Sequence, residues 1–396
     1  MTGHFFRLLN TTLALSEQFQ STLFASTSES DNDHTSKKDS GPLPLLYASS
    51  TSLKAQVTKL SLLTINSPFT PSAVCTVLSA LNDSVLPSLV TAALLITPDA
   101  YTKAFHTETL VLTKNALKEL HTLIQEVKTI AEKKDRTKRQ GQEEDDLLPS
   151  EKNNITAATG RAWDACDTLI ELAGKGVVGF VVRRVEEWRD LVRDAIGELE
   201  EWDPDEEDED FDYLLGESNQ DISDVALERN KQGRVGDAGD DDDSDDAAAL
   251  HAYKKSILRV LKPIAQIYPT IVSNRLKNGG LIVSSSSSQI PHPSYIPKLE
   301  SLISNLQSIP DHIDEAAGAL YESDIETSVQ YIEKAKICAA EAVELLAQPW
   351  EMVVVDGERV DALTEDKYTA WSRTWLKVME EVWRPLDHQL KKKETV

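Results

Sequence analysis

Apolar residues recur at spacings of three and four along most of the chain and almost nowhere alternate with period two, which predicts helices rather than strands. Phe5, Leu9, Phe19 and Leu23 fall near one face of a first helix, and Leu46, Leu53, Val57 and Leu60 do so in a second. A third opens with Thr70 as N-cap and Pro71 at the first helical position, where a missing N–H costs nothing. It runs through Val74, Leu78, Leu81, Val85 and Leu89 to Ile96, and Pro87 predicts a kink within it. Thr97-Pro98 repeats the cap-and-proline signal and opens a long helix carrying Leu112, Ala116, Leu120, Leu123, Val127 and Ile130. Asn154 to Leu172 forms another, with Trp163, Cys166 and Leu169 inward. Beyond Gly174, Gly176 and Gly179, the residues Val178, Val181, Val185, Trp188, Val192, Ala195 and Leu199 make a heptad-like seam. The second half predicts helices over 247–276, 295–308, 311–322, 325–347 and 366–390, and the short apolar run Met352 to Val355 reads as strand or loop. About ten helices joined by short turns pack antiparallel, so the expected fold is all-α: two consecutive helical bundles or one elongated bundle.

Charge divides this pattern. The chain carries 66 acidic and 41 basic residues, a net of −25 over 396 residues. Glu201 to Asp246 holds 20 of the acids against three bases, a net of −17, which leaves only −8 for the other 350 residues. So much charge with so few apolar residues cannot offset the entropy of ordering, so this stretch is expected to be a disordered acidic linker. The predicted domains are therefore an N-terminal bundle over 1–200, the linker over 201–246, and a C-terminal bundle over 247–396. Inside the linker, Phe211, Tyr213, Leu214 and Leu215 form a small apolar cluster that either docks on a partner or is incidental to a solvated tether. Ala25 to Pro44 and the Gly279-Gly280, serine and proline run of Asn278 to Pro297 read as loops. Lys133 to Ser150 starts basic and turns acidic, and its basic run is either an import signal or a helix end. The longest nearly uncharged stretch, Pro68 to Ile96, is punctuated by Ser, Thr, Asn82, Asp83 and Pro87 and reads as a buried helix, not a membrane span. No signal-peptide pattern opens the chain, and three scattered cysteines make neither a disulfide framework nor a CxxC metal site. Cytoplasm and nucleus are the expected compartments.

Catalytic chemistry has no constellation to stand on. Gly174 to Gly179 reads GKGVVG, superficially a phosphate loop, yet no strand precedes it and the following run is helical, so a helix break is the better reading. No two histidines stand four apart as helical metal ligands; His121 beside its apolar stripe reads as structural, and Cys166 as an inert packed thiol. Neither cofactor nor metal is expected, and the chain is not expected to be an enzyme. Direct nucleic-acid binding is disfavoured, because Lys133 to Arg139 and Lys391 to Lys393 are too short to overcome the net negative charge. What remains is a scaffold presenting surfaces. Trp371, Trp375, Val378, Met379, Val382, Trp383 and Leu386 stripe the last helix, either as core or as an exposed interface. The candidate partner-binding residues are Trp371, Trp375, Met379, Trp383, Phe211 and Tyr213.

Four segments in order resemble the cyclin-D-binding proteins, also called cyclin-D-interacting helix-loop-helix proteins. LKAQVTKLSLL (53–63) with PFTPSAVCTVLSAL (68–81) and SLVTAALLI (88–96) looks like the family's N-terminal helices and their proline-containing turn. GRAWDACD (160–167) matches its tryptophan, one residue, then Ala-Cys. ELEEWDP (198–204) runs into an acidic linker as in family members, and IPDHIDEAAGALYE (309–322) is similar to a later family segment. The Ser-rich loop at 278–297 and the Trp-rich extension after Trp350 depart from the animal members, and no basic helix-loop-helix is matched. The resemblance implies an all-helical, non-enzymatic regulator of nucleus and cytoplasm, which binds cyclin-type or transcription-regulating proteins and negatively regulates cell-cycle progression. Two other readings of the residues stand beside it: a vinculin-like structural adaptor, and an acidic chaperone of basic proteins acting through 201–246. Ser218, Ser223 and Ser244 lie in acidic surroundings that suit acidophilic kinases.

Overall fold

The structure, a computed structural model, describes residues 2–25, 41–140, 147–205, 242–277, 295–348, 353–355, 358–360 and 366–393. These are helical nearly throughout and gather into two compact units, Met1–Arg183 with Leu276–Ser301, and Arg184–Arg275 with Leu302–Val396. The boundary near residue 183 falls inside a helix and not at the acidic stretch. Most of the expected linker, with Phe211 and Tyr213, lies outside the described residues.

The first unit is built from α1 (Thr2–Ala25), α2 (Pro42–Ile65), α3 (Pro71–Ala80), α4 (Leu86–Leu95), the short α5 (Pro98–Tyr101), α6 (Lys103–Arg139) and the first part of α7 (Pro149–Glu201). Antiparallel packing follows from the side-chain pairs. Along α6 and α7, Lys133 meets Glu151 at 2.8 Å, Glu119 meets Arg161 at 2.9 Å, and Glu108 meets Arg183 at 3.1 Å. Between them run the buried stripes Phe105, Ala116, Leu120, Leu123, Val127 and Ile155, Ala162, Leu169, Leu172, each large apolar side chain contributing about 1.5–3 kcal/mol on burial. α1 lies against α6. Its inward face is Phe5, Leu9, Thr12, Ser16 and Leu23; Phe19 is only half-buried, and Ser16 bonds the His121 ring at 2.8 Å.

α3 and α4 together have the length and composition to cross a bilayer. Here Leu78, Leu81, Leu86, Leu89 and Ala93 are buried, and the two helices pack on α1, α2 and α6. The kink expected at Pro87 takes the form of a π turn over Leu81–Val85, in which the Leu86 N–H reaches back five residues to the Leu81 carbonyl. A wider turn just before a proline accommodates the bond that proline cannot make. Thr97-Pro98 opens only the one turn of α5. Thr102, at φ 82°, then interrupts the chain and caps α6 by accepting the Phe105 N–H. The Gly176 break is as expected: φ 62° and ψ −167° belong to a region essentially reserved for glycine.

The second unit holds the end of α7, then α8 (Asp242–Ile271) with a π turn over Val272–Leu276, α9 (Ile296–Tyr321), α10 (Ile325–Leu345) and α11 (Lys367–Lys393). α9 enters it from the first unit. α8 starts five residues inside the expected linker. A short antiparallel hairpin pairs Val353–Val355 with Glu358–Val360, which makes the ambiguous apolar run a strand. The two helices expected over 295–308 and 311–322 are one, and Pro310 sits inside it. Proline at 310 leaves the Leu306 carbonyl without its helical donor, and the buried Tyr268 hydroxyl supplies one at 3.1 Å. Its phenol is pushed well above the ordinary range by burial, so it stays a donor.

The ends of α8, α10 and α11 meet on one guanidinium. Arg275, 3% exposed, donates to the Leu346 carbonyl at 2.8 Å and to both Asp366 oxygens at 2.6 and 3.1 Å, and lies 4.3 Å from the Tyr368 ring. Asp366 in turn accepts the Thr369 N–H at 2.8 Å, capping α11.

Two outcomes test this unit. Tyr268→Phe should cost about 1–3 kcal/mol in urea unfolding by leaving the Leu306 carbonyl unpaired, whereas a neutral result would show another donor. The Arg275 hydrogen bond, followed by those from Thr369, holds the Asp366 carboxyl down at about 2 from its ordinary 3.8. Its contribution is therefore complete above pH 3.8 and is lost as pH falls through about 2. Arg275→Met should cost about 3 kcal/mol at neutral pH and return the Asp366 titration, read by carboxyl NMR shifts, to the ordinary carboxylate range.

Candidate functional site: an exposed seam between two helices

α2 and the first part of α7 bury a common stripe, Leu46, Leu53, Val57 and Leu60 against Ala158, Ala162, Ala165 and Leu169. The buried positions flanking Trp163 on α7 are taken by the small side chains of Ala162 and Ala165. Trp163 accordingly stands beside that stripe, 38% exposed, and not inward as its spacing predicts. Its indole N–H donates to the Thr58 hydroxyl at 3.0 Å, which itself donates to the Lys54 carbonyl at 2.8 Å. One turn on, Lys54 Nζ donates to both Asp167 carboxylate oxygens at 2.6 Å. Further along, Tyr47 lies across Gly174, its ring 3.7 Å from where a Cβ would stand.

These contacts form a single exposed line in which two aromatics bracket an ion pair. Tyr47 is 47% exposed and lies on one helix, Trp163 on the other. Tryptophan and tyrosine held at a surface by a hydrogen bond or a close backbone contact are pre-ordered anchors, losing little rotamer freedom when a partner covers them. The seam joins two of the segments on which the family resemblance rests, 53–63 and 160–167.

The groups with catalytic potential are engaged otherwise. Cys166 is buried and its thiol is pushed up to about 12, first by burial and then by the Asp167 charge, so no thiolate forms at neutral pH. His121 is held between Ser16 and Gln125, both at 2.8 Å. Asp203, Asp205 and His251 bring three possible metal-ligating atoms within 4.8 Å of one another, but all three residues are exposed and His251 already bonds Asp205 at 3.1 Å. The group escapes a search for paired histidines because its carboxylates and its single imidazole lie 46 residues or more apart in the sequence.

The tryptophan stripe of α11 faces inward. Trp375, Met379 and Trp383 are buried and Trp371 half-buried; Trp375 donates its indole N–H to the Pro263 carbonyl at 2.9 Å, and Lys336 stands 4.0 Å from the Trp383 ring. Three of the four tryptophan-stripe candidates are thus packing residues of the second unit, while Trp163 and Tyr47 are surface aromatics that the apolar period alone does not separate from core.

Cys166 should resist a thiol reagent such as dithionitrobenzoate at pH 8 while the chain is folded and react once it is unfolded. Prompt modification of Cys166, mapped by mass spectrometry, would contradict the burial described.

Residues 46–205 match the family model described as Grap2 and cyclin-D-interacting, N-terminal, which runs from the start of α2 through the whole of α7. No curated protein matches the chain. Over residues 46–205, then, the chain is similar to the Grap2 and cyclin-D-interacting family.

Proposed function

We propose that this chain is a non-enzymatic regulator that binds a cyclin-type protein through the α2/α7 seam and so restrains cell-cycle progression in cytoplasm and nucleus. The observation that carries the reading is the position of Trp163. Within the family-matched region the tryptophan of GRAWDACD is kept at the surface, tied to Thr58. A tryptophan needed only for stability gains most from full burial; one held half in water, beside a second exposed aromatic, suits recognition.

The mechanism is docking on a rigid helix pair. A partner's apolar side chains would cover the Trp163 and Tyr47 rings, while the Lys54–Asp167 pair between them fixes the register by charge. The pair is substantially exposed, with side chains at 36% and 54%, so it adds specificity rather than stability to the free protein. The α6/α7 ion pairs and the stripe beneath keep the seam from rearranging, which limits the entropy lost on binding.

The test is a titration of the purified full chain with a purified D-type cyclin by isothermal calorimetry. Trp163→Ala and Lys54→Glu should each weaken binding by about tenfold or more, with circular dichroism unchanged. An intact chain that binds no cyclin, or seam variants that bind as tightly as the intact chain, would exclude this mode of action.

A further inference from the structure

We propose that the groove between α9 and α10 is a second docking site, and that its occupant is a lysine- and arginine-bearing segment of a protein partner. The surface lies wholly within the second unit and is independent of the α2/α7 seam.

A turn at Glu322–Asp324 folds α10 back along α9, with Ser328 donating to the Ala316 carbonyl at 2.7 Å at the base of the pair. Between the two helices is a groove of about 420 Å³, lined by Asp314 and Glu315 from α9, by Glu322 and Asp324 from the turn, and by Thr327 and Tyr331 from α10. Asp324 is committed to capping α10, accepting the Thr327 N–H at 3.0 Å. Asp314, Glu315 and Glu322 have no ion-pair partner among the described residues. Asp314 is surrounded by its own sign: burial, then the charges of Asp311, Glu198 and Glu315, raise its carboxyl above the ordinary value. The fold thus concentrates negative charge on the α9 side of the groove, where none of Asp314, Glu315 and Glu322 has an ion-pair partner among the described residues.

Aromatic surface stands at the rim. Tyr321, 43% exposed, is held edge-on against Trp202 with ring centroids 5.0 Å apart, so its outer surface is fixed in orientation. Tyr331 already receives a cation, with Lys334 Nζ 4.1 Å from its ring centroid. A long basic side chain suits such a place twice over: its alkyl stem covers aromatic and alanine surface while its charged head meets the carboxylates. Charge complementarity therefore selects the occupant. A nucleic-acid backbone or an anionic membrane would be repelled, and an uncharged peptide would leave the carboxylates desolvated and unpaired.

The sequence alone places anionic attraction in residues 201–246, whereas the groove is formed by the described helices α9 and α10. Gly318 makes the distinction testable, since it lines the groove and a Cβ there meets nothing within 4 Å. Gly318→Phe fills the groove and leaves every charge in place. Asp314→Asn with Glu315→Gln removes two charges and preserves the shape, and Glu380→Gln with Glu381→Gln on exposed α11 positions removes the same number elsewhere.

The probe is a fluorescein-labelled amphipathic helical peptide of about 14 residues with lysine and arginine on one face, together with its glutamate counterpart, titrated by anisotropy with the full chain. The basic peptide should bind the intact chain and the α11 control alike. It should bind about tenfold more weakly to Gly318→Phe and to the Asp314/Glu315 variant, while the glutamate peptide does not bind. Equal affinity for intact chain and Gly318→Phe would overturn the proposal, because attraction would then come from charge outside the groove. So would equal losses in the groove and α11 charge variants, binding of the glutamate peptide, or no binding of the basic one. Should Gly318→Phe lower the helical circular dichroism signal, the contrast between the two charge variants decides.

Discussion

α7 contributes to both units, and a single backbone break divides its buried stripe. The apolar stripe of Ile155 to Leu172 packs within the first unit, and the stripe that restarts at Val178 continues past Arg184 into the second. One uninterrupted helix would carry a single stripe whose phase is fixed at the start. Gly176 supplies the interruption at a backbone geometry that a side chain resists, and it does so without unravelling either part. Much else depends on this. The ion pairs that align α7 with α6 straddle the break, with Glu151 and Arg161 before it and Arg183 after it. Tyr47 reaches α7 at Gly174, just before the chain turns.

The all-helical class, the antiparallel packing and nearly every helix were legible in the spacing of apolar residues, because burial of a stripe dictates that spacing. What was not legible depended on partners far away in sequence. Pro310 reads as a boundary, and the helix runs through it while the Tyr268 hydroxyl, 38 residues before Leu306, takes over the bond that proline gives up. Trp163 reads as core, but it stands 38% exposed beside Ala162 and Ala165, which hold the buried positions. Trp375, Met379 and Trp383 allowed both readings, and burial beneath α8 and α10 decided between them.

Charge was legible as a total and misleading as a location. Counting acids draws attention to 201–246, yet α9 also gathers carboxylates, where Asp314 is crowded by its neighbours Asp311 and Glu315 and by Glu198 from α7. Composition sees density; only the fold shows which charges share a wall. The two candidate surfaces differ in kind for the same reason. The seam of α2 and α7 is balanced in charge and edged by aromatics, while the groove of α9 and α10 carries carboxylates that have no ion-pair partner among the described residues.

Arg275 gathers Leu346, Ala347 and Asp366 onto one guanidinium, so residues 347 and 366 are held at nearly the same point. The entropy of closing the chain between them grows only slowly with its length, so added or deleted residues there would not alter the register of α10 against α11. The clamp makes that stretch a natural insertion point: a place where new sequence, even a whole module, can be grafted while the helices on either side keep their neighbours.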